Sequence, residues 1–325
     1  MVYLIKTILF FTLSLFSFCC QSQWYEKQFD VMGTRAKVEF ESDDEKLAKQ
    51  LIDQVVAEMI RIDWLMSPFK PQSELSKINQ QASRHAVEIS SELFNLINQS
   101  IVYSELTKGA FDITFSSVGY LYDFRHKIKP KNIEKNQLVE FINYKNISMD
   151  KKNKRIYFNN KNIKIDLGGI AKGHAVDRSI DILRQHGIRN AFVSAGGDSR
   201  VIGKKNDRLW YIGIRHPRQE NKLIINLPLE EVAISTSGDY ERFFIEEGVR
   251  YHHIIDPKTG DSSRKSQSVT ILAKKSTVAD ALSTSIFILG PVEGLKLINK
   301  MPDTSAIIIG IDGKLHYSED LSPVN

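Results

Sequence analysis

Ile165-Asp166-Leu167-Gly168-Gly169-Ile170-Ala171-Lys172-Gly173-His174-Ala175 reads as strand, turn and helix in succession. A short strand delivers Asp166, two glycines let the backbone approach a ligand closely, and the helix that follows points free N–H groups at whatever anion sits there. Lys172 falls in the first helical turn, where the helix dipole disfavours a cation, so its presence suggests a polyanion to be neutralised. The run is not a Walker loop, since no Gly-Lys-Ser/Thr follows at the required spacing, and it is not a dinucleotide G-x-G-x-x-G. Standing alone, such a turn more often serves structure than chemistry.

Downstream of this run, short strands and helices alternate. The helix should continue to His186, followed by strands at 191–194, 209–215, 232–235, 242–245, 251–255 and 268–273, a helix over 277–289, and a closing hairpin, 306–311 with 314–317, across Asp312-Gly313. Upstream, Leu47, Leu51, Val55, Met59 and Ile62 recur at helical spacing over 44–64, with Asp43 and Asp44 available as caps. Leu93, Ile97, Ile101 and Leu106 do the same over 91–108, and Gly109 is placed to end that helix. No comparable helix is predicted before Gly169, and the Lys/Asn-rich region 127–160 reads as a loosely structured excursion. Hairpin-like pairs mixed with crossover helices give an α+β fold with mixed, largely antiparallel sheets and packed helices, and no internal repeat is visible.

The chain has 325 residues, 42% hydrophobic and 26% charged, which excludes a disordered or collagen-like protein and allows one large domain. Lys and Arg number 44 against 39 Asp and Glu, a net charge of +5 that is spread along the chain. The most basic stretches, 127–135 and 145–155, alternate with Asn and lack regularly spaced aromatics, so nucleic acid is not an expected partner. Both cysteines, Cys19 and Cys20, close an apolar N-terminal run, which leaves no thiol for a disulfide or a metal site in the body. Lys6 followed by apolar residues 8–18 reads as an export signal, and the cysteines suggest a lipoprotein anchored at Cys19 or Cys20. Phe18 or Cys19 stands where a small residue is preferred, and an uncleaved membrane anchor is the alternative. On this reading residues 1–20 are an address, residues 24–320 form the domain, and the body lies on the periplasmic side of a bacterial membrane.

Four further segments could carry chemistry. In Val278-Ala279-Asp280-Ala281-Leu282-Ser283-Thr284-Ser285, a spacing of four places the Asp280 carboxylate and the Thr284 hydroxyl on one helix face, two hard oxygen donors suited to Mg²⁺. The plainer reading is that Asp280 complements the helix N-terminus and Thr284 packs. In Tyr251-His252-His253-Ile254-Ile255-Asp256-Pro257-Lys258-Thr259-Gly260, strand alternation sends the two histidines to opposite faces, so one can be a base and a two-His metal site is disfavoured. Ser194-Ala195-Gly196-Gly197-Asp198 and Ser235-Thr236-Ser237-Gly238-Asp239-Tyr240 each fall at the end of a predicted strand, where ligand sites are often built.

In this order the segments resemble the ApbE family of FAD:protein FMN transferases, over residues 29–290. The resemblance includes Met32-Gly33-Thr34, Met66-Ser67-Pro68-Phe69, Ser73 to Asn79 and Gly109-Ala110-Phe111-Asp112-Ile113-Thr114. It continues through the Asp166 to Gly173 turn, the Gly196-Gly197-Asp198 and Ser237-Gly238-Asp239 loops, His253 to Gly260 and the helix from Ala279. It implies FAD as donor, transfer of its FMN unit through the phosphate to a Thr or Ser hydroxyl of an acceptor protein, and release of AMP. Met32, Phe69, Ala110, Phe111, Asp112, Asp166 and Lys172 would line the FAD site, with Ser237 and Gly238 added to them. Mg²⁺ would be held by the Gly169 carbonyl, Asp280 and Thr284. Lys172 and Asp280 would serve the chemistry, with His253 as base because it directly precedes the Ile-Ile-Asp-Pro run shared with the family.

The acceptors the resemblance implies are flavin-carrying subunits of membrane redox complexes of the sodium-pumping NADH:quinone reductase (Nqr) and Rnf types. No acceptor motif of the Asp-Gly-x-Ser/Thr-Gly-Ala-Thr kind is apparent, so self-flavinylation is not expected. Two other readings use the same residues: a Mg²⁺-dependent FAD pyrophosphatase giving FMN and AMP, and a flavin-binding lipoprotein without catalysis.

Overall fold

The computed structural model describes residues 22–322, so the apolar leader and both cysteines lie outside the described residues. Strands β1 (Gln23–Val31) and β2 (Thr34–Ser42) form a hairpin that sequence patterning alone does not announce. Its two turn residues, Met32 (φ 53°) and Gly33 (φ 68°), both adopt the left-handed conformation that a two-residue hairpin with native twist requires. Met is an unusual choice there, because a side chain at positive φ is strained.

Helix α1 (Glu45–Met66) starts where Asp44 accepts the Leu47 N–H and buries Leu51, Val55, Met59 and Ile62, as the periodicity requires. Helix α2 (Glu74–Gln81), capped by Ser73, was not foreseen, being too short to show a period. After β3 (Val87–Glu88), α3 (Ser91–Leu106) ends as expected near Gly109 (φ 82°), whose N–H reaches back to the Ser104 carbonyl.

Region 127–160 is built, contrary to expectation. With the short α4 (Ser116–Gly119) before it, it contributes α5 (Asn132–Leu138) and strands β4 (Ile147–Asp150) and β5 (Arg155–Phe158), and β5 pairs with both β3 and β4. Its lysines and asparagines are mostly exposed or half-buried, Lys135 apart, which is buried and paired with Asp261, while Ile147, Ile156 and Phe158 alternate into the core.

Residues 163–166 are likewise no strand. They run without a ladder partner, and the Asn79 amide stands in for one, donating to the Ile165 carbonyl (2.9 Å) and accepting its N–H (2.8 Å).

Beyond this turn come α6 (Ala171–Gln185), then β6 (Ala191–Ala195) and β7 (Asp198–Ile202) joined through Gly196-Gly197. The hairpin β8 (Trp210–Arg215) and β9 (Leu223–Leu229) precedes β10 (Val232–Gly238), and the hairpin β11 (Phe243–Glu246) and β12 (Val249–His252) follows it. The strand expected through Ile255 stops at His252, and Ile254 and Ile255 are buried in the turn beyond. Strand β13 (Ser266–Ala273), helix α7 (Ser276–Ile298) and strands β14 (Thr304–Gly310) and β15 (Leu315–Tyr317) complete the chain.

Eight strands form one antiparallel sheet in the order β1-β2-β6-β7-β10-β13-β14-β15, which is the α+β architecture expected. Helices α6 and α7 pack on this sheet and α1 packs on α6. Helix α7 is apolar on nearly all sides, as a helix wrapped by core must be, and Gly290 (φ 80°) with Pro291 kinks it where the predicted helix stops.

Gly173 decides how closely α6 approaches α7. A Cβ there would lie 2.8 Å from the Asp280 Cβ and closer still to the Ser276 carbonyl oxygen, so only glycine lets these two helices meet at this height.

Candidate active site

The close contact at Gly173 brings the first turn of α6 against the first turns of α7, and the predicted chemistry converges there. Asp280 is 2% exposed and accepts the Gly173 N–H at 2.9 Å. The Lys172 ammonium sits 3.4 Å from both Asp280 oxygens, donates to the Gly168 carbonyl (3.1 Å), and lies 2.8 Å from Oδ2 of Asp198. Burial by itself would lower the lysine, but Asp198 and Asp280 outweigh it and hold the ammonium above its usual range. The Asp280 carboxyl is pushed the other way, upward, by burial first and by the neighbouring Asp198 second, with Lys172 opposing.

Thr284 stands one helical turn beyond Asp280, as its spacing predicts. A Cβ on Gly169 would come within 3.2 Å of both the Thr284 Oγ1 and the Phe111 ring, so the turn backbone lies directly against them. Ser237 Oγ is 3.4 Å from Thr284 Oγ1 and 2.8 Å from Ser283 Oγ, and Ser283 in turn meets Ser235 at 3.0 Å. Ser235 donates to Oδ1 of Asp198 (2.6 Å), closing a hydroxyl chain from the end of β10 to the start of β7. Gly238 serves this arrangement indirectly, because a Cβ there would run into the Tyr240 ring.

Asp166 accepts the Gly168 N–H at 2.6 Å, which tightens the turn; burial raises its carboxyl, while Arg242 and Lys172 act in the opposite direction. Ala110, Phe111 and Asp112 are buried beside it. Asp112 accepts from the Thr114 N–H (2.8 Å), the Thr114 hydroxyl (2.5 Å) and the Tyr144 N–H (2.8 Å), so it shapes this wall; burial raises its carboxyl and these bonds oppose the rise. Met32 is presented by the strained β1–β2 turn. Phe69 stands apart, with its ring 85% exposed on the loop before α2.

Because the strand ends at His252, alternation does not govern His253, and the two histidines differ instead in their partners. His252 is used by the fold: its Nε2–H donates to the Ser263 carbonyl (2.7 Å) and its ring meets Phe287 edge-on. His253 has a buried Nδ1 with no partner among the described residues. Burial first, then His252, Arg242 and Lys172, push its pKa down to about 3, so the imidazole is neutral near pH 7.

Two residues that hold this site are given no individual role by the sequence. Asp198 sits in a Gly-Gly-Asp run that looks like an ordinary turn, and only its position opposite Lys172 exposes its part. Asp177 on α6 caps α7, accepting the Ser276 N–H (2.9 Å), the Thr277 N–H (2.9 Å) and the Thr277 hydroxyl (2.7 Å), while Arg200 pairs with it at 2.7 Å. Nothing in its local pattern distinguishes Asp177 from a solvated helical acid.

The donor chemistry fits a hard divalent cation. Asp198 and Asp280, both 2% exposed, share a single ammonium, and the Thr284 hydroxyl and the carbonyls of the Gly168-Gly169 turn add neutral oxygens. Among the described residues no three His, Cys, Asp or Glu side chains form a metal cage. Mg²⁺ is commonly bound by one or two carboxylates and completed by substrate phosphates.

Known proteins share this arrangement of elements. The ApbE family profile matches residues 32–308. An FAD:protein FMN transferase of Vibrio cholerae is 32% identical over 274 residues, spanning 80% of this chain and 79% of the relative. One from Haemophilus influenzae is 31% identical over 294 residues, covering 86% and 85%. The crystal structure of an ApbE protein from Thermotoga maritima superimposes with a TM-score of 0.85 at 36% identity, covering 92% of this chain and 98% of that one. The flavin transferase ApbE from Vibrio cholerae does so with 0.83 at 27%, covering 94% and 100%. With the profile running from the β1–β2 turn into β14, and so across every element that builds the site, the chain belongs to the ApbE family.

Proposed function

We propose that this chain is an FAD:protein FMN transferase that attaches FMN through a phosphoester bond to a Thr or Ser hydroxyl of an acceptor protein and releases AMP. The observation that carries the reading is the meeting of Asp280 and Thr284 with the Gly168-Gly169 turn, with Lys172 held between Asp280 and Asp198. The relatives named FAD:protein FMN transferase support the reaction type.

The acceptor oxygen forms a bond to the phosphorus of the FMN half, the bond from that phosphorus to the oxygen of AMP breaks, and the hydroxyl proton passes to a base. Asp280, Thr284 and the Gly169 carbonyl would hold Mg²⁺, which supplies charge neutralisation for the diphosphate. Lys172, fixed by two carboxylates, sets its positive charge beside the departing phosphate oxygen. His253 Nδ1 is the proton acceptor: the imidazole is neutral near pH 7, and this buried nitrogen has no partner among the described residues. Negative charge bound beside Lys172 and Arg242 offsets part of what depresses its pKa, and a base so placed contributes about 10²–10⁴-fold. Met32, Ala110, Phe111, Asp112 and Asp166 form the flavin nucleotide's walls with Ser237 and Gly238, and the exposed Phe69 is the remaining aromatic of the proposed flavin site.

The apolar leader with Cys19 and Cys20 supports placement in the cell envelope with a lipid anchor, and a mature N-terminus determined by mass spectrometry tests it. Flavin-carrying subunits of Nqr- and Rnf-type membrane complexes are the acceptors we propose. Incubating the purified protein with FAD, Mg²⁺ and such a subunit should add one FMN mass to the subunit. Free FMN and AMP with an unmodified subunit would instead establish a pyrophosphatase, and Asp280→Ala with undiminished AMP release would remove the metal site from the chemistry.

A further inference from the structure

The site is short of positive charge. Asp166, Asp198 and Asp280 surround one ammonium, and Lys172 is already engaged by two of them. A diphosphate adds further negative charge, so on the reading above another cation is needed beyond Mg²⁺.

Arg242 meets that need by position. Its side chain leaves the segment before β11 and crosses to the β1–β2 turn, where Nη2 donates to the Gly33 carbonyl at 3.3 Å. A Cβ on Gly33 would lie 3.2 Å from the same nitrogen, so glycine leaves room for the guanidinium beside Met32. The Arg242 backbone carbonyl accepts the His253 N–H at 3.1 Å, which ties it to the candidate base. Arg242 is exposed, and among the described residues no carboxylate lies within ion-pair distance of it. Its neighbours differ: Arg215 is paired with Glu241 and Arg218 forms a two-pronged pair with Asp239. The charge of Arg242 also lowers the Asp166 carboxyl and the His253 imidazole.

We propose that Arg242 is a substrate-binding residue that grips the diphosphate of FAD, keeping one N–H on the Gly33 carbonyl and turning the rest of its fork to phosphate oxygens. A guanidinium offers donors in a fixed fork that matches phosphate oxygens, and a charge-assisted pair of this kind is stronger than a neutral hydrogen bond. This inference rests on the flavin transferase reading and adds to it the residue that distinguishes a dinucleotide from a bare flavin.

The test compares FAD with riboflavin, which lacks the diphosphate, by titrating each against the full protein with Mg²⁺ and no acceptor and following flavin fluorescence. Wild type should bind FAD more tightly than riboflavin. Arg242→Gln should lose roughly 10- to 100-fold in FAD affinity while riboflavin affinity stays within about twofold, and Arg242→Lys should recover part of the loss. Unchanged FAD affinity in Arg242→Gln overturns the inference, and so does an equal loss for both ligands, which would make the arginine a structural strap on the β1–β2 turn. Wild type that binds FAD no better than riboflavin would overturn the transferase reading and this inference together.

Discussion

Lys172 draws its usefulness from Asp198, whose carboxylate holds the ammonium at 2.8 Å and is itself fixed by Ser235. Asp198→Asn keeps the shape but removes the charge, freeing Lys172 to swing toward Asp280. Such a change behind an active group typically costs about 10- to 100-fold, so kcat should fall by that order while the unfolding midpoint in urea moves little. A second residue-scale prediction concerns Gly173. Alanine there collides with the Ser276 carbonyl and crowds Asp280, so Gly173→Ala should cost about 1–3 kcal/mol in urea denaturation and abolish turnover by parting the two helices. Much of this was readable in advance: Asp280 and Thr284 share a face because four residues make a helical turn, and the Gly-Gly turn advertises a close approach. Asp198 was not, because its partner is 26 positions away in sequence and no period links them.

Between elements, the decisive joint is the capping of α7 by Asp177 from α6. Removing it strips the start of α7 of its acceptors and leaves the Arg200 guanidinium buried beside them without a partner. Asp177→Ala should therefore destabilise the protein by about 3–5 kcal/mol, read by urea denaturation, since breaking a buried pair leaves an uncompensated charge. Long amphipathic helices such as α1 and α3 were legible from their periodicity and caps. The β1–β2 hairpin was not, because Met32-Gly33 lacks the Asn or Asp that usually marks such a turn and β1 is mostly exposed. The segment at 163–166 reads as a strand by composition yet finds its hydrogen bonds in the Asn79 amide, a long-range substitution that no local pattern reveals. The strand expected through both histidines ends at His252, and the bond from His252 to Ser263 leaves His253 as the one with an unpartnered nitrogen among the described residues.

For the whole molecule, acid is the condition to which the fold should respond. Burial lowers His253 from its ordinary 6.5 to about 3, so between these values the unfolded chain binds a proton that the folded one refuses. Stability should thus decline as pH falls below about 6.5, and His253→Gln should remove that part of the decline in melting scans at stepped pH. Glu92 adds a second decline below its ordinary 4.5. Its bond to His174, and then Arg61, outweigh burial and hold it at about 2 in the folded state.

The eight-stranded sheet has a further consequence. Strand β2 finds its neighbour β6 some 155 residues downstream, and Asp280 reaches Lys172 across 108. A growing polypeptide therefore has no competent flavin cleft until α7 has left the ribosome. Premature termination before α7 should yield products that neither capture FAD nor compete with the finished enzyme for it.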